Sequence, residues 1–174
     1  IIVTGVFGAT AIEDAPISIS VITSEELEQL SPASAADILK SVPGVFVNSS
    51  LGEIRNVVFS RGVSANSLDG AGGYYYISLQ EDGLPVEPLT QGNYGPDYFS
   101  RPDIMLGHLE ALRGGTATIT ASNAPGGVFN YVSRNGRTDP GFEISGKFGL
   151  EGDGRNPYYR VDAYAGGEIG DGLY

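Results

Sequence analysis

The stretch "LEALRGGTATITASNAPGGVFNYVSR", residues 109–134, combines two glycine pairs, a run of small hydroxylated residues and an aromatic alternating segment, without an evident catalytic group. Residues 109–112 and 128–132 read as two strands that bracket the small-residue run. Neither G-x-x-x-x-G-K-[ST] nor a G-x-G-x-x-G that opens a helix is present, so the glycines do not form a phosphate loop. Gly114, Gly115, Gly126 and Gly127 instead suit positive φ and close backbone packing. The small-residue run 116–124 is expected to form a compact bend. Such a segment is suited to packing rather than chemistry.

Upstream, "PISISVIT" (16–23) alternates with Ile17, Ile19 and Val21 on one face, the pattern of a half-buried strand. Thr23 and Glu26 have capping-box spacing ahead of a short helix in "SEELEQL". Ser34 with Asp37 offers a second N-cap, and Ala35, Ile38, Leu39 and Val42 recur at helical spacing until Pro43 and Gly44 end the pattern. "GVFVNS", "VVFSRG", "YYYISLQ" and "LPVEP" read as strands, and Asp82 with Gly83 marks a tight hairpin turn. The tyrosines Tyr75 and Tyr76 are expected in the core. "SANSLDGAGG" and "TQGNYGPDYFSRP" are long polar loops carrying aromatic residues, the kind of segment that recognises ligands on a rigid scaffold.

The last third changes character. In "FEISGKFGLE", Phe142, Ile144, Phe148 and Leu150 oppose Glu143, Ser145, Lys147 and Glu151. In "YYRVDAYAGGEI", Tyr159, Val161, Ala163, Ala165 and Ile169 oppose Tyr158, Arg160, Asp162, Tyr164 and Glu168. Both runs match the roughly 9–11 residues of a tilted transmembrane strand, and "GDGRNP" joins them as a hairpin. A sheet resting on a soluble core produces the same alternation, so the pattern alone leaves both open.

The 174 residues suffice for one ordinary domain with a small appendage. The 26 glycines and 10 prolines lack a three-residue period, and 41% hydrophobic residues against 18% charged argue against disorder. A formal net charge of -11 with scattered basic residues points away from nucleic acid. Without cysteine there is neither a disulfide nor a thiolate metal site. No apolar run approaches the roughly 20 residues of a membrane helix. Ile1 opens directly into "IIVTG", with no basic and apolar leader, so the chain reads as mature or trimmed.

Catalysis has thin support. His108 is the single histidine, no G-x-S-x-G elbow exists, and Glu81 with Asp82 are neighbours in a turn. The sequon Asn48, Ser49, Ser50 is too short a pattern to carry weight. No EF-hand or His-rich metal pattern is present. No catalytic residue, metal or cofactor is expected.

Taken in order, the pieces resemble the plug of a TonB-dependent outer-membrane transporter. That family runs as a TonB box, a strand with short helices, a "vPGV" word, an "RG" strand, a "DG-P" hairpin, an "LRG" strand and a "GGV-N" strand. Here these are "IIVTG", "ISVITSEEL", "DILKSVPGVFV", "FSRG", "EDGLPV", "LEALRGG" and "SNAPGGVFNYVSR". Each word is weak alone, but their shared order covers nearly the whole chain.

The resemblance implies an α+β plug domain, a mixed sheet with short helices, followed by the first antiparallel hairpin of a transmembrane β-barrel. The implied divisions are a TonB box and flexible leader at 1–15, the plug at 16–138 and the first two barrel strands at 139–174. A lone hairpin would expose unpaired edges to lipid, so the chain is expected to be part of a longer protein with a wide barrel.

The implied location is the outer membrane of a Gram-negative bacterium, in contact with its lipids. The implied function is energised import of a scarce bulky nutrient, a ferric siderophore first and an oligosaccharide or other large organic molecule next. Ile1, Ile2, Val3, Thr4 and Gly5 would be the TonB box, adding as an edge strand to the periplasmic energiser TonB. Arg61 and Arg113 would contact barrel glutamates, since a buried guanidinium needs carboxylate partners. Asn66, Tyr74, Asn93, Tyr94, Tyr98 and Phe99, on apical loops, would bind the cargo.

Three departures leave the substrate subgroup open. Gly115 stands where a proline usually follows "LRG", no "YG" precedes the second glycine pair, and the acidic residue that commonly precedes the box is missing. The rival class is a stand-alone plug-like module that binds a ligand or partner without transport. A signalling receptor would carry a further domain before the box, and an enzyme comes last.

Overall fold

The computed structural model describes residues 2–3, 10–11, 18–49, 56–64, 76–86, 102–114 and 124–174. Strands β1 (Ile2–Val3) and β2 (Thr10–Ala11) pair antiparallel. Strand β3 (Ser18–Ile22) leads into helices α1 (Ser24–Leu30) and α2 (Ala35–Leu39). Then follow β4 (Val45–Asn48), β5 (Val57–Ser60), β6 (Val63–Ser64), β7 (Ile77–Glu81), β8 (Leu84–Pro85), β9 (Leu106–Arg113), β10 (Gly127–Ser133), β11 (Gly141–Glu151) and β12 (Asn156–Gly166). The chain divides into two compact units, Ile1–Pro102 with Gly107–Val132, and Asp103–Leu106 with Ser133–Tyr174.

The first unit is built on a five-stranded sheet in the order β3-β9-β10-β7-β8. β7 runs parallel to β10, whereas β3 is antiparallel to β9 and β8 to β7, so the sheet is mixed. Along β9 and β10, Leu109, Ala111, Leu112, Val128 and Phe129 are buried, which takes residues from both faces of each strand. On β3, Ile19 packs against Leu112, Ala124 and Val128 as the alternation anticipates. The opposite face of the strand is not free, because Ile22, paired with Leu109, is buried too.

Both helices begin at the expected caps. Thr23 Oγ1 accepts from the Glu26 amide at 3.3 Å, and the Glu26 carboxylate accepts from the Thr23 amide at 2.9 Å. Ser34 Oγ accepts from the Asp37 amide at 3.2 Å and from Asn56 Nδ2 at 3.3 Å. Helices this short do not persist unaided. Burial of Ala35, Ala36, Ile38 and Leu39 holds α2, and Tyr131 Oη on β10 donates to the Ala35 carbonyl at 2.8 Å.

β4, β5 and β6 form a separate three-stranded antiparallel sheet. Here "RG" is not part of a strand. Ser60 pairs with Val63, which leaves Arg61 and Gly62 as a two-residue hairpin turn with φ of 53° and 81°. The "DG" word is built alike, with Asp82 at φ 50° and Gly83 at 81°. Asn130 Oδ1 accepts from the Gly83 amide at 2.8 Å, joining the "GGV-N" strand to that turn. Tyr76, expected in the core, is exposed; it precedes β7, whose first residue Ile77 takes the buried position. Tyr75 lies outside the described residues.

In the second unit β11 and β12 pair over their full length, Gly141 with Gly166 through Glu151 with Asn156. That register puts Phe142, Ile144, Phe148 and Leu150 on one face with Ala165, Ala163, Tyr159 and Pro157. This face is wholly apolar and exposed, Phe148 at 72% and Tyr159 at 81%. The other face carries Glu143, Ser145, Lys147, Arg160, Asp162 and Tyr164. Ile169, expected on the apolar face of the second strand, falls beyond the end of β12.

Arg134 gathers the base of this hairpin. Its guanidinium meets the Glu143 carboxylate at 2.7 Å, stacks over the Tyr164 ring at 4.1 Å and donates to the Ile104 carbonyl at 3.4 Å. Its amide donates to the Met105 carbonyl at 2.7 Å. The hydrogen bond that the guanidinium donates to Glu143 leads in raising its pKa above the ordinary value, partly opposed by burial. Tyr164 Oη donates to the Asp139 carbonyl at 2.6 Å, which closes the linker onto the strands.

Candidate functional site

Four short words that are far apart in the sequence meet in the first unit. The turn after α2 presents two carbonyls. That of Pro43 accepts from the Arg113 guanidinium, and that of Gly44 accepts from the Arg61 amide at 3.0 Å. The other end of the Arg113 fork, Nη2, donates to Ser20 Oγ on β3 at 2.6 Å. The pairing explains the reach: Ser18 stands opposite Arg113 and Ser20 opposite Ala111, so both serines share the face of the arginine.

The second glycine pair completes the cluster. A Cβ on Gly127 would lie 2.7 Å from the Leu112 carbonyl oxygen, and one on Gly126 would lie 2.5 Å from Ile77 Cγ1. Only glycine allows β10 to approach β7 and the "LRG" backbone this closely. The Gly126 carbonyl accepts from Ser60 Oγ at 2.5 Å, which ties this bend to the strand before Arg61. Gly114 lies under the second arginine, with its missing Cβ position 3.1 Å from Arg61 Nη1.

The structure therefore brings Arg61 and Arg113 to one place. Among the described residues neither has a carboxylate within ion-pair distance, and Arg113 Nε is buried without a hydrogen-bond partner. Arg61 is exposed and Arg113 half-buried. What the arrangement offers chemically is two neighbouring guanidinium groups, that of Arg113 held by two hydrogen bonds, which can pair with carboxylates.

Comparison with known proteins agrees with this architecture. The family model described as TonB-dependent Receptor Plug Domain matches residues 11–128. The chain belongs to that family. It is 36% identical over 114 residues to the vitamin B12 transporter BtuB of Vibrio vulnificus (strain YJ016), covering 65% of this chain and 17% of the relative. It is 32% identical over 149 residues to the ferrichrome outer membrane transporter/phage receptor of Escherichia coli (strain K12), covering 85% of this chain and 18% of the relative. Among solved structures, a chain of the FpvAI-pyocin S2 complex superposes with a TM-score of 0.63 at 19% identity, covering 94% of this chain and 19% of that one. The chain thus spans under a fifth of the length of each of these proteins, and the two curated relatives are named as transporters, one of them also a phage receptor, rather than enzymes.

As a plug-family member, the chain uses its glycine and arginine words as joints of the scaffold. Ile2 and Val3 of the expected TonB box pair with Ala11 and Thr10. Ile1, Thr4 and Gly5 lie outside the described residues, as do the loop residues Asn66, Tyr74, Asn93, Tyr94, Tyr98 and Phe99. His108 Nε2 stands 3.4 Å from Oε1 of the fully buried Glu110. Among the described residues no cluster of His, Asp and Glu could hold a metal ion. Sequence reading missed Ser20, Pro43 and Ser60 as partners of these words. Ser20 could have been found from the strand alternation, whereas a backbone carbonyl such as that of Pro43 leaves no mark in the sequence.

Proposed function

We propose that this chain is the plug and opening hairpin of an energised importer in the outer membrane of a Gram-negative bacterium, divided at 1–15, 16–138 and 139–174. The observation that carries the proposal is the succession of a plug-family segment and a hairpin with one unbroken apolar face. Strands of this length, apolar outward and polar inward, are what a membrane barrel requires. Their edges need further strands, which accords with relatives several times longer than this chain.

In this reading residues 1–5 form the TonB box. The periplasmic energiser TonB would take them as an added edge strand, in competition with the Ile2 to Ala11 and Val3 to Thr10 pairs. Arg61 and Arg113 would take barrel glutamates. The cargo would bind the apical loops through Asn66, Tyr74, Asn93, Tyr94, Tyr98 and Phe99. Relatives named for vitamin B12 and ferrichrome support a bulky cargo. A ferric siderophore is the first candidate, ahead of an oligosaccharide or another large organic molecule.

The test is deletion of residues 1–5 from the full-length transporter. Uptake of the cargo should be lost while its binding at the cell surface persists. Uptake that survives the deletion would refute the box.

A further inference from the structure

If the leading segment is pulled, as the importer reading holds, β3 is the first plug strand to take the load. Among the described residues it is an edge strand, bonded only to β9 in the five-stranded sheet. The antiparallel register sets Ser18 opposite Arg113 and Ile22 opposite Leu109. Tension entering from the N-terminal side therefore reaches the Ser18 end before the Ile22 end.

Arg113 stands at that first-loaded end. Its single planar guanidinium joins three segments: β9, on which it is carried, β3 through Ser20 Oγ at 2.6 Å, and the turn after α2 through the Pro43 carbonyl. The donor is charged, so each bond is stronger than a neutral one. A rigid fork cannot keep both acceptors once they move apart. Arg113 Nε is buried without a partner among the described residues, so opening the site lets water reach an N–H that the closed state leaves unsatisfied. A contact with these properties holds firmly and does not creep: it is closed, or it is hydrated and open.

We propose that Arg113 is the release latch of β3, setting the load at which the strand leaves β9. The residue acts by position, through Ser20 and Pro43, and this is separate from any glutamate it meets in a barrel. Ile22 makes a useful contrast, because it is buried and stabilises β3 from the far end. A purely structural contribution to strand stability would show at both ends.

The experiment is to hold the full-length protein that carries this chain in a lipid bilayer, apply constant force to its leading segment and record the lifetime before the first release. Ser20→Ala should shorten that lifetime about tenfold, the effect of losing one hydrogen bond to a charged donor. Arg113→Gln should shorten it further, and the double variant should behave as Arg113→Gln alone. Ile22→Val should leave the first lifetime within about twofold of the parent, since its end of the strand opens last. An unchanged lifetime in Ser20→Ala, or an equal shortening in Ile22→Val, overturns the latch. The measurement needs neither TonB nor cargo, so its failure is distinct from failure of the importer reading, which is decided by uptake after deletion of residues 1–5.

Discussion

Gly127 and Gly44 both adopt positive φ, yet substituting alanine should affect them very differently. At Gly44 φ is 80° and a Cβ would meet nothing within 4 Å. Gly44→Ala therefore carries backbone strain alone, about 1–2 kcal/mol. At Gly127 φ is 129°, and the Cβ would sit 2.7 Å from the Leu112 carbonyl oxygen and 3.7 Å from Arg113 Cγ. The oxygen belongs to the backbone of a buried strand and cannot swing aside. Strain of about 1–3 kcal/mol then adds to overpacking of about 1–3 kcal/mol, for a total of about 2–6 kcal/mol. That is a large share of the roughly 5–15 kcal/mol that hold an ordinary domain together. Native-state hydrogen exchange, read on the amides of β9 and β10, should show protection falling about tenfold in Gly44→Ala and by about thirtyfold to ten-thousandfold in Gly127→Ala. Equal losses in the two variants would mean that the glycine pair is not there for close approach.

Thr23→Ala removes the capping box and should destabilise α1 by about 1 kcal/mol, seen as faster exchange confined to that helix. Arg134→Gln loses an ion pair whose carboxylate is partly solvated, together with stacking on Tyr164. The discounted sum is about 1–2 kcal/mol, and it should loosen exchange at the base of the β11 to β12 hairpin while sparing β7. Ile144→Arg puts a charge on the apolar face at about 2–4 kcal/mol if that face meets the bilayer midplane, whereas Ser145→Arg on the polar face should be tolerated. Levels of the two variants in the outer membrane compare them directly.

Features with short-range causes were legible in the sequence. Thr23 with Glu26 and Ser34 with Asp37 announce their helices because a cap is satisfied within three residues. The hairpin was legible because strict alternation persists through eleven-residue strands, and a slip by one position would turn every apolar side chain over. Long-range facts left no such trace. The parallel pairing of β7 with β10 joins segments with much of the chain between them. The meeting of Arg61 and Arg113 at the turn after α2 depends on backbone carbonyls that any residue would supply. Arg61 was expected on a strand, although the two-residue gap between "VVFS" and "VS" already marks a turn. Tyr76 went wrong through aromatic character being taken for burial, while the alternation of β7 gives the inward position to Ile77.

The central claim is that this segment belongs to a barrel in the outer membrane. Its most direct test is the intact mass of the native protein extracted from the outer membrane of its source. The account predicts a mass several times the 18.2 kDa of this chain. A mass near 18.2 kDa would contradict it, leaving a stand-alone binding module whose hairpin is an ordinary soluble sheet.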